Sequence, residues 1–178
     1  MIESRPMKKI YDLANLVILI LITYTVSTGY AKLPERIPTH FNFAGQPDRW
    51  GGRSSFIVLA GVAWGMAILF YALIRYLPRM GRNPKNLNIP HKEQFLRLPE
   101  EKKMLYWALL AEFLAATVAA TNLLFYLIIR GIMRIASGEA TLLSFQEVLP
   151  AIVALGLVIL VYLWKLLVMP GRLVRGEE

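Results

Sequence analysis

The chain has 178 residues, a mass of 20.2 kDa and a formal charge of +8. Apolar residues make up 56% and charged residues 18%, with a mean hydropathy of +0.48; soluble domains carry about 45–50% and about 25%. That balance excludes a disordered chain and argues against an ordinary soluble domain. The absence of cysteine excludes a disulfide framework, a thiolate nucleophile and a cysteine-based zinc site.

Four apolar runs follow one another, at residues 13–30, 56–77, 105–129 and 148–169. About 20 helical residues cross the hydrocarbon core of a bilayer. Only helices and closed barrels cross it with every backbone group satisfied. The runs lack the alternation of barrel strands, so the expected fold is an all-α membrane domain of four transmembrane helices over residues 1–178. Breakers separate the runs: Pro34 and Pro38, then Pro78, Gly81 and Pro84, then Gly131 and Gly138, and finally Pro170-Gly171. Leu98-Pro99-Glu100-Glu101 resembles a helix start, with proline in the first turn and carboxylates at the positive end of the helix dipole, so the third helix begins near Pro99. A basic segment before run one and the small residues at Gly29-Tyr30-Ala31 also fit a cleaved secretory signal. The length of the run and the three spans after it favour a retained helix.

Basic residues set the expected orientation. The N-terminal segment, the loop 78–104 with its flanks and the C-terminal segment hold fourteen Lys and Arg, against six in the other two loops. The positive-inside rule then places both termini and the loop 78–104 in the cytoplasm of a multi-pass protein of the cell membrane. Topology accounts for the charge, so nucleic acid is not an expected partner; membrane lipids are, including anionic headgroups at the basic loop. Aromatic residues near the helix ends, Tyr106 and Trp107 on the third and Tyr162 and Trp164 on the fourth, support the boundaries of the spans.

The connection at residues 33–53, LPERIPTHFNFAGQPDRWGGR, is the outer loop on this topology. Its prolines and glycines fix backbone shape, which a flexible spacer does not need. An extended stretch over residues 39–43 turns Phe41 and Phe43 toward the membrane or the helix bundle and His40 and Asn42 the other way. A turn through Ala44-Gly45-Gln46-Pro47 returns Asp48 to their side. His40, Asn42, Asp48 and Trp50 are therefore candidate ligand-binding residues, and His40 with Asp48 a candidate metal pair, although zinc takes three or four protein ligands. The bland alternative is a compact cap in which His40 and Asp48 bond to the turns and Trp50 anchors at the interface. His91, in the basic loop, is read as solvated.

Leu33, Pro34, Ile37, Pro38, His40, Gly45, Asp48 and Trp50 follow a pattern of Leu-Pro, then Ile-Pro-x-His, then Gly and Asp before Trp. This resembles the signature of a bacterial and archaeal membrane family of unknown function, whose domain also forms the N-terminal part of Sdp-type bacteriocin immunity proteins. Asn88-Ile89-Pro90-His91-Lys92-Glu93 is similar to a motif of its single-domain members, where Asn often stands at the place of His91. The resemblance implies an immunity-like binding or protection role.

Inside the spans, Ala108, Glu112, Ala115, Ala119, Asn122 and Tyr126 share one face of the third helix. Small residues let helices approach closely, so this face is expected to pack inward and carry Glu112 and Asn122 with it. A charged group in a bilayer costs about 2.5–3.5 kcal/mol on insertion scales. Glu112 is thus either a proton- or cation-handling carboxyl, a structural hydrogen bond to Asn15 or Thr23 of the first helix, or a side chain snorkelling to the interface. Gly61 and Gly65 form a small-xxx-small pair that suits helix packing and permits a homodimer.

Three functions compete. The first, preferred, is non-enzymatic binding or protection through the outer loop, with an extracytoplasmic peptide or small molecule as partner and no cofactor. The second is a small ion-coupled transporter or channel-like carrier acting as an oligomer through Glu112 and Asn122. The third is a metal-dependent membrane enzyme using His40, Asp48 and Glu35, against which stands the absence of any recognised catalytic signature.

Overall fold

The computed structural model describes residues 6–80 and 88–176. The elements are α1 (Pro6–Gly29), a 3-10 turn (Tyr30–Lys32), β1 (Arg36–Phe41), β2 (Pro47–Gly52), α2 (Ser54–Met80), α3 (Lys92–Leu96), α4 (Glu100–Ala136) and α5 (Phe145–Arg175). Four helices, α1, α2, α4 and α5, are long and apolar enough to cross a membrane, which makes this a multi-pass membrane protein. Each is longer than the apolar run that announced it. Gly81 and Pro84, named above as breakers, lie outside the described residues, as do Arg5, Arg82 and Lys85.

The centre of the bundle is α4. It packs most extensively against α1, then α5, then α2, whereas α1 and α2 touch each other sparingly. The sequence explains this role. Ala108, Ala111, Ala115, Ala116 and Ala119 are all buried on α4, and without long side chains in the way neighbouring backbones come close. The large apolar residues of α2 and α5 turn outward instead, with Ile68 and Leu160 about two-thirds exposed at 66% and 67%. Gly29, at the end of α1, serves the same close packing: a Cβ there would stand 2.9 Å from Met133 Sδ of α4.

Three expected helix ends are corrected. α2 continues past Pro78 to Met80. α4 runs through Gly131 to Ala136, and a Cβ on Gly131 would collide with the Leu143 side chain, so this glycine is a seat for the following loop rather than a break. α5 contains Pro150 and Pro170 and extends to Arg175; Pro170 and Gly171 are both buried, and the His91 ring packs over Gly171. Neighbouring elements hold such a helix together where proline removes a bond. The start at Pro99 holds, with Glu100 as the first helical residue.

The two ends of the bundle differ. At one end the β1–β2 hairpin sits beside the α4–α5 connection. At the other, α3 lies against α5 and drives Phe95, fully buried, into the Tyr106 ring at 5.3 Å, edge to face. Tyr106 and Trp107 are consequently core residues; Tyr162 is buried too, and Trp164 alone of the four is exposed.

Gly61 and Gly65 are exposed on α2, and a Cβ on either meets nothing within 4 Å. Their smallness serves no packing within the described residues. Alanine disfavours the helical backbone less than glycine, by about 1 kcal/mol. Gly61→Ala and Gly65→Ala should therefore each raise resistance to unfolding in detergent by up to about 1 kcal/mol, read by denaturant titration of helical circular dichroism.

Candidate functional site

Two groups of residues carry the candidate chemistry, one on the hairpin and one inside the bundle. The hairpin is antiparallel, with Arg36 opposite Gly52, Ile37 opposite Gly51, Pro38 opposite Trp50, His40 opposite Arg49 and Phe41 opposite Pro47. Between these pairs Thr39 is an extra residue on β1 and Asp48 an extra residue on β2. Two bulges on opposite strands cancel in register while re-aiming side chains between them. Asp48 Oδ1 comes to 2.5 Å from His40 Nδ1. Both side chains are exposed, so the pair contributes at most about 1 kcal/mol to stability.

Asn42 does not join them. Its Oδ1 accepts the amides of Ala44 at 2.9 Å and Gln46 at 3.0 Å, and its backbone N–H donates to the Gln46 carbonyl at 3.0 Å. This is an Asx-type turn in which the side chain replaces backbone partners. Phe41 and Phe43 part company. β1 ends at Phe41, which packs against the core, so the alternation stops there and Phe43 stands fully exposed at the tip. Trp50 is half exposed on β2.

The hairpin is tied down at both ends. At its base the Arg53 N–H donates to the Glu35 carbonyl at 3.0 Å, and the Arg53 guanidinium lies 5.2 Å from the centre of the Tyr30 ring. At its tip Gly45, with φ of 76°, accepts the Leu143 N–H at 2.8 Å. Leu143 in turn seats its side chain on Gly131 of α4. Ile37 is fully buried and belongs to the cluster of Leu19, Ile22, Phe56 and Ile129. Glu35 stands at the open base, while His40 and Asp48 lie toward the turn. Among the described residues no three His, Asp or Glu side chains gather as a metal cage, and His40 and Asp48 supply two ligands of the three or four that zinc takes.

Inside the bundle the expected α4 face is buried. Glu112 is 4% and Asn122 0% exposed. Their partners are not those expected for Glu112. The Tyr162 hydroxyl of α5 donates to Glu112 Oε1 at 2.5 Å and lies 3.4 Å from the Tyr11 hydroxyl of α1. Asn15 belongs to Asn122, whose Nδ2 donates to Asn15 Oδ1 at 2.9 Å, while Asn122 Oδ1 is buried without a partner. Thr23 accepts the Trp64 Nε1–H at 3.0 Å. Asp12 accepts Tyr71 at 2.9 Å and Lys8 at 2.7 Å. Between Trp64–Thr23 and Tyr71–Asp12 runs an apolar groove of about 370 Å³ that Asn15, Leu16, Leu19, Ala67 and Ile68 help to line.

Sequence reasoning misses Tyr11, Asp12 and Tyr71, and reads Tyr162 only as a mark of a helix end. A signal existed: Tyr11, Asp12 and Asn15 fall within one turn of α1, beside an otherwise apolar run.

Residues 16–64, from α1 through the hairpin into α2, match the model of a family described as a domain of unknown function, DUF1648. An uncharacterized protein of Archaeoglobus fulgidus is 30% identical over 94 residues, 52% of this chain and 51% of that protein. The chain thus spans about half the length of the curated relative it matches. No solved structure matches.

Proposed function

We propose that this is a multi-pass protein of the cell membrane with both termini in the cytoplasm, and that its β1–β2 hairpin works outside the cytoplasm as a non-enzymatic binding or protection module of the immunity type. The observation that carries the reading is the hairpin's construction. A frame fastened at base and tip ends in the fully exposed Phe43 and carries the half-exposed Trp50 on the same short sheet. Exposed large aromatics on a fixed scaffold are the usual anchors of a binding surface, here suited to a peptide with apolar side chains. The excess of Lys and Arg near the termini and the loop 78–104 supports the orientation.

Because the chain has no cysteine, single cysteines report topology directly. A membrane-impermeant maleimide should label Ala44→Cys in intact cells and Gln94→Cys only after permeabilisation; the reverse pattern overturns the orientation. Cells making the protein should survive at least one membrane-active peptide in a panel better than cells without it, and Phe43→Ala with Trp50→Ala should abolish that advantage at unchanged protein abundance. Equal sensitivity to every peptide, with and without the protein, ends the protection reading.

A further inference from the structure

Glu112 is a buried carboxyl in the third of α4 nearest α3, and among the described residues no Lys or Arg forms an ion pair with it. A lone buried charge is costly, so its protonation depends on what surrounds it. From α5 comes Tyr162, whose ring carries Lys165 Nζ 5.1 Å from its centre. From α1 comes Tyr11, followed by Asp12, which is turned to Lys8 and to Tyr71 of α2. α3 brings Phe95 to the same cluster, with Lys92 and Glu93 on its short helix. α4 itself adds Tyr106 to that cluster.

Three oxygens therefore stand in a row from three helices: Tyr11 Oη, Tyr162 Oη and Glu112 Oε1, separated by 3.4 and 2.5 Å. The hydrogen bonds in such a row run either way. With the carboxyl ionised, Tyr11 donates to Tyr162 and Tyr162 to Glu112; with it neutral, Glu112 donates and the row reverses. The longer step needs an approach of about half an ångström to reach ordinary O–H···O length. Tyr11 is half-buried at the α3 end of the bundle, so the row leads inward from there. Beyond Glu112, residues 113–121 of α4 hold no titratable side chain; the Thr117 hydroxyl there is buried without a hydrogen-bond partner, and the next buried polar pair, Asn122 with Asn15, consists of amides.

We infer that Glu112 is a proton-exchange site, loaded and unloaded through Tyr162 and Tyr11 from the α3 end of the bundle and closed toward the hairpin end. In the loading step Tyr162 passes its hydroxyl proton to the Glu112 carboxylate, takes one from Tyr11, and Tyr11 takes one from solvent. One proton is gained, both phenols are regenerated and no electron moves. The site changes charge at the junction of α1, α4 and α5, which gives the bundle a proton-dependent contact. This goes beyond the hairpin reading and stands without it.

The test is infrared difference spectroscopy of the full chain in lipid nanodiscs, stepped in pH from about 4 to about 10, a span that covers the range of buried carboxyls. The expected result is a carboxylic C=O band that disappears as pH rises, is absent in Glu112→Gln, and moves its midpoint by at least about one pH unit, tenfold in proton affinity, in Tyr162→Phe. Tyr11→Phe should slow its appearance after a pH jump with little change in midpoint. Should Glu112→Gln fail to fold, Glu112→Asp assigns the band by shifting it. A wild-type spectrum with no pH-dependent buried carboxyl overturns the site, and so does a band that neither tyrosine variant alters in midpoint or rate. None of these measurements involves the hairpin, so failure here leaves the binding reading standing, and the reverse holds.

Discussion

Gly45→Ala releases the hairpin tip from the bundle. The position has φ of 76°, a conformation that costs a residue with a Cβ about 1–2 kcal/mol. A Cβ there would also run into the Leu143 carbonyl oxygen, backbone that has no rotamer to escape through. Moving it breaks the Leu143 N–H bond to the Gly45 carbonyl, worth about 0.5–1.5 kcal/mol. The expected loss is at least about 2 kcal/mol in local stability, about a 30-fold faster amide exchange at Leu143 and through the 42–46 turn. The helices should keep their protection, because α4 holds α1, α2 and α5 without the tip. Gly131→Ala, which meets only the end of the flexible Leu143 side chain, should do much less. Unchanged exchange at Leu143 in Gly45→Ala would refute the docked hairpin, and with it the rigid frame on which the binding role rests.

What could be read from sequence followed from length and chemistry that act locally. Runs of about 20 apolar residues give crossing helices whatever they pack against, and an alanine-rich face on α4 is inward because only such a face lets three neighbours approach. The breakers misled where a neighbour supplied what the backbone lacked. Gly131 ends nothing because Leu143 fills the space above it, and Pro170 stays helical under the cover of its neighbours. Period-two reasoning failed on the hairpin for a similar reason. His40 and Asp48 meet, but through paired bulges at Thr39 and Asp48 that no alternation announces. Asn42 is taken by the turn it builds, and Phe43 falls past the last strand residue. The partner of Glu112 was out of reach altogether, since it depends on which of Tyr162, Asn15 and Thr23 the helix crossings bring near.

The other large effect belongs to Asn15 and Asn122. Both are almost fully buried, at 2% and 0% exposure, and joined at 2.9 Å across α1 and α4. Replacing one with leucine leaves the other amide buried with its principal partner gone, which costs about 1–3 kcal/mol in protein interiors and somewhat less between membrane helices, about 0.6 and up to about 1.7 for the bond alone. Each of Asn15→Leu and Asn122→Leu should thus lower stability by about 1–2 kcal/mol. The double variant should lie closer to the native chain than the two losses added together. It leaves no orphaned partner, and it removes the Asn122 Oδ1 that has no partner even in the native fold. Reversible unfolding in mixed micelles measures the four states of the cycle. Additive losses would mean that the two amides do not act as a pair, and the α1–α4 contact would then rest on its alanines and apolar side chains alone.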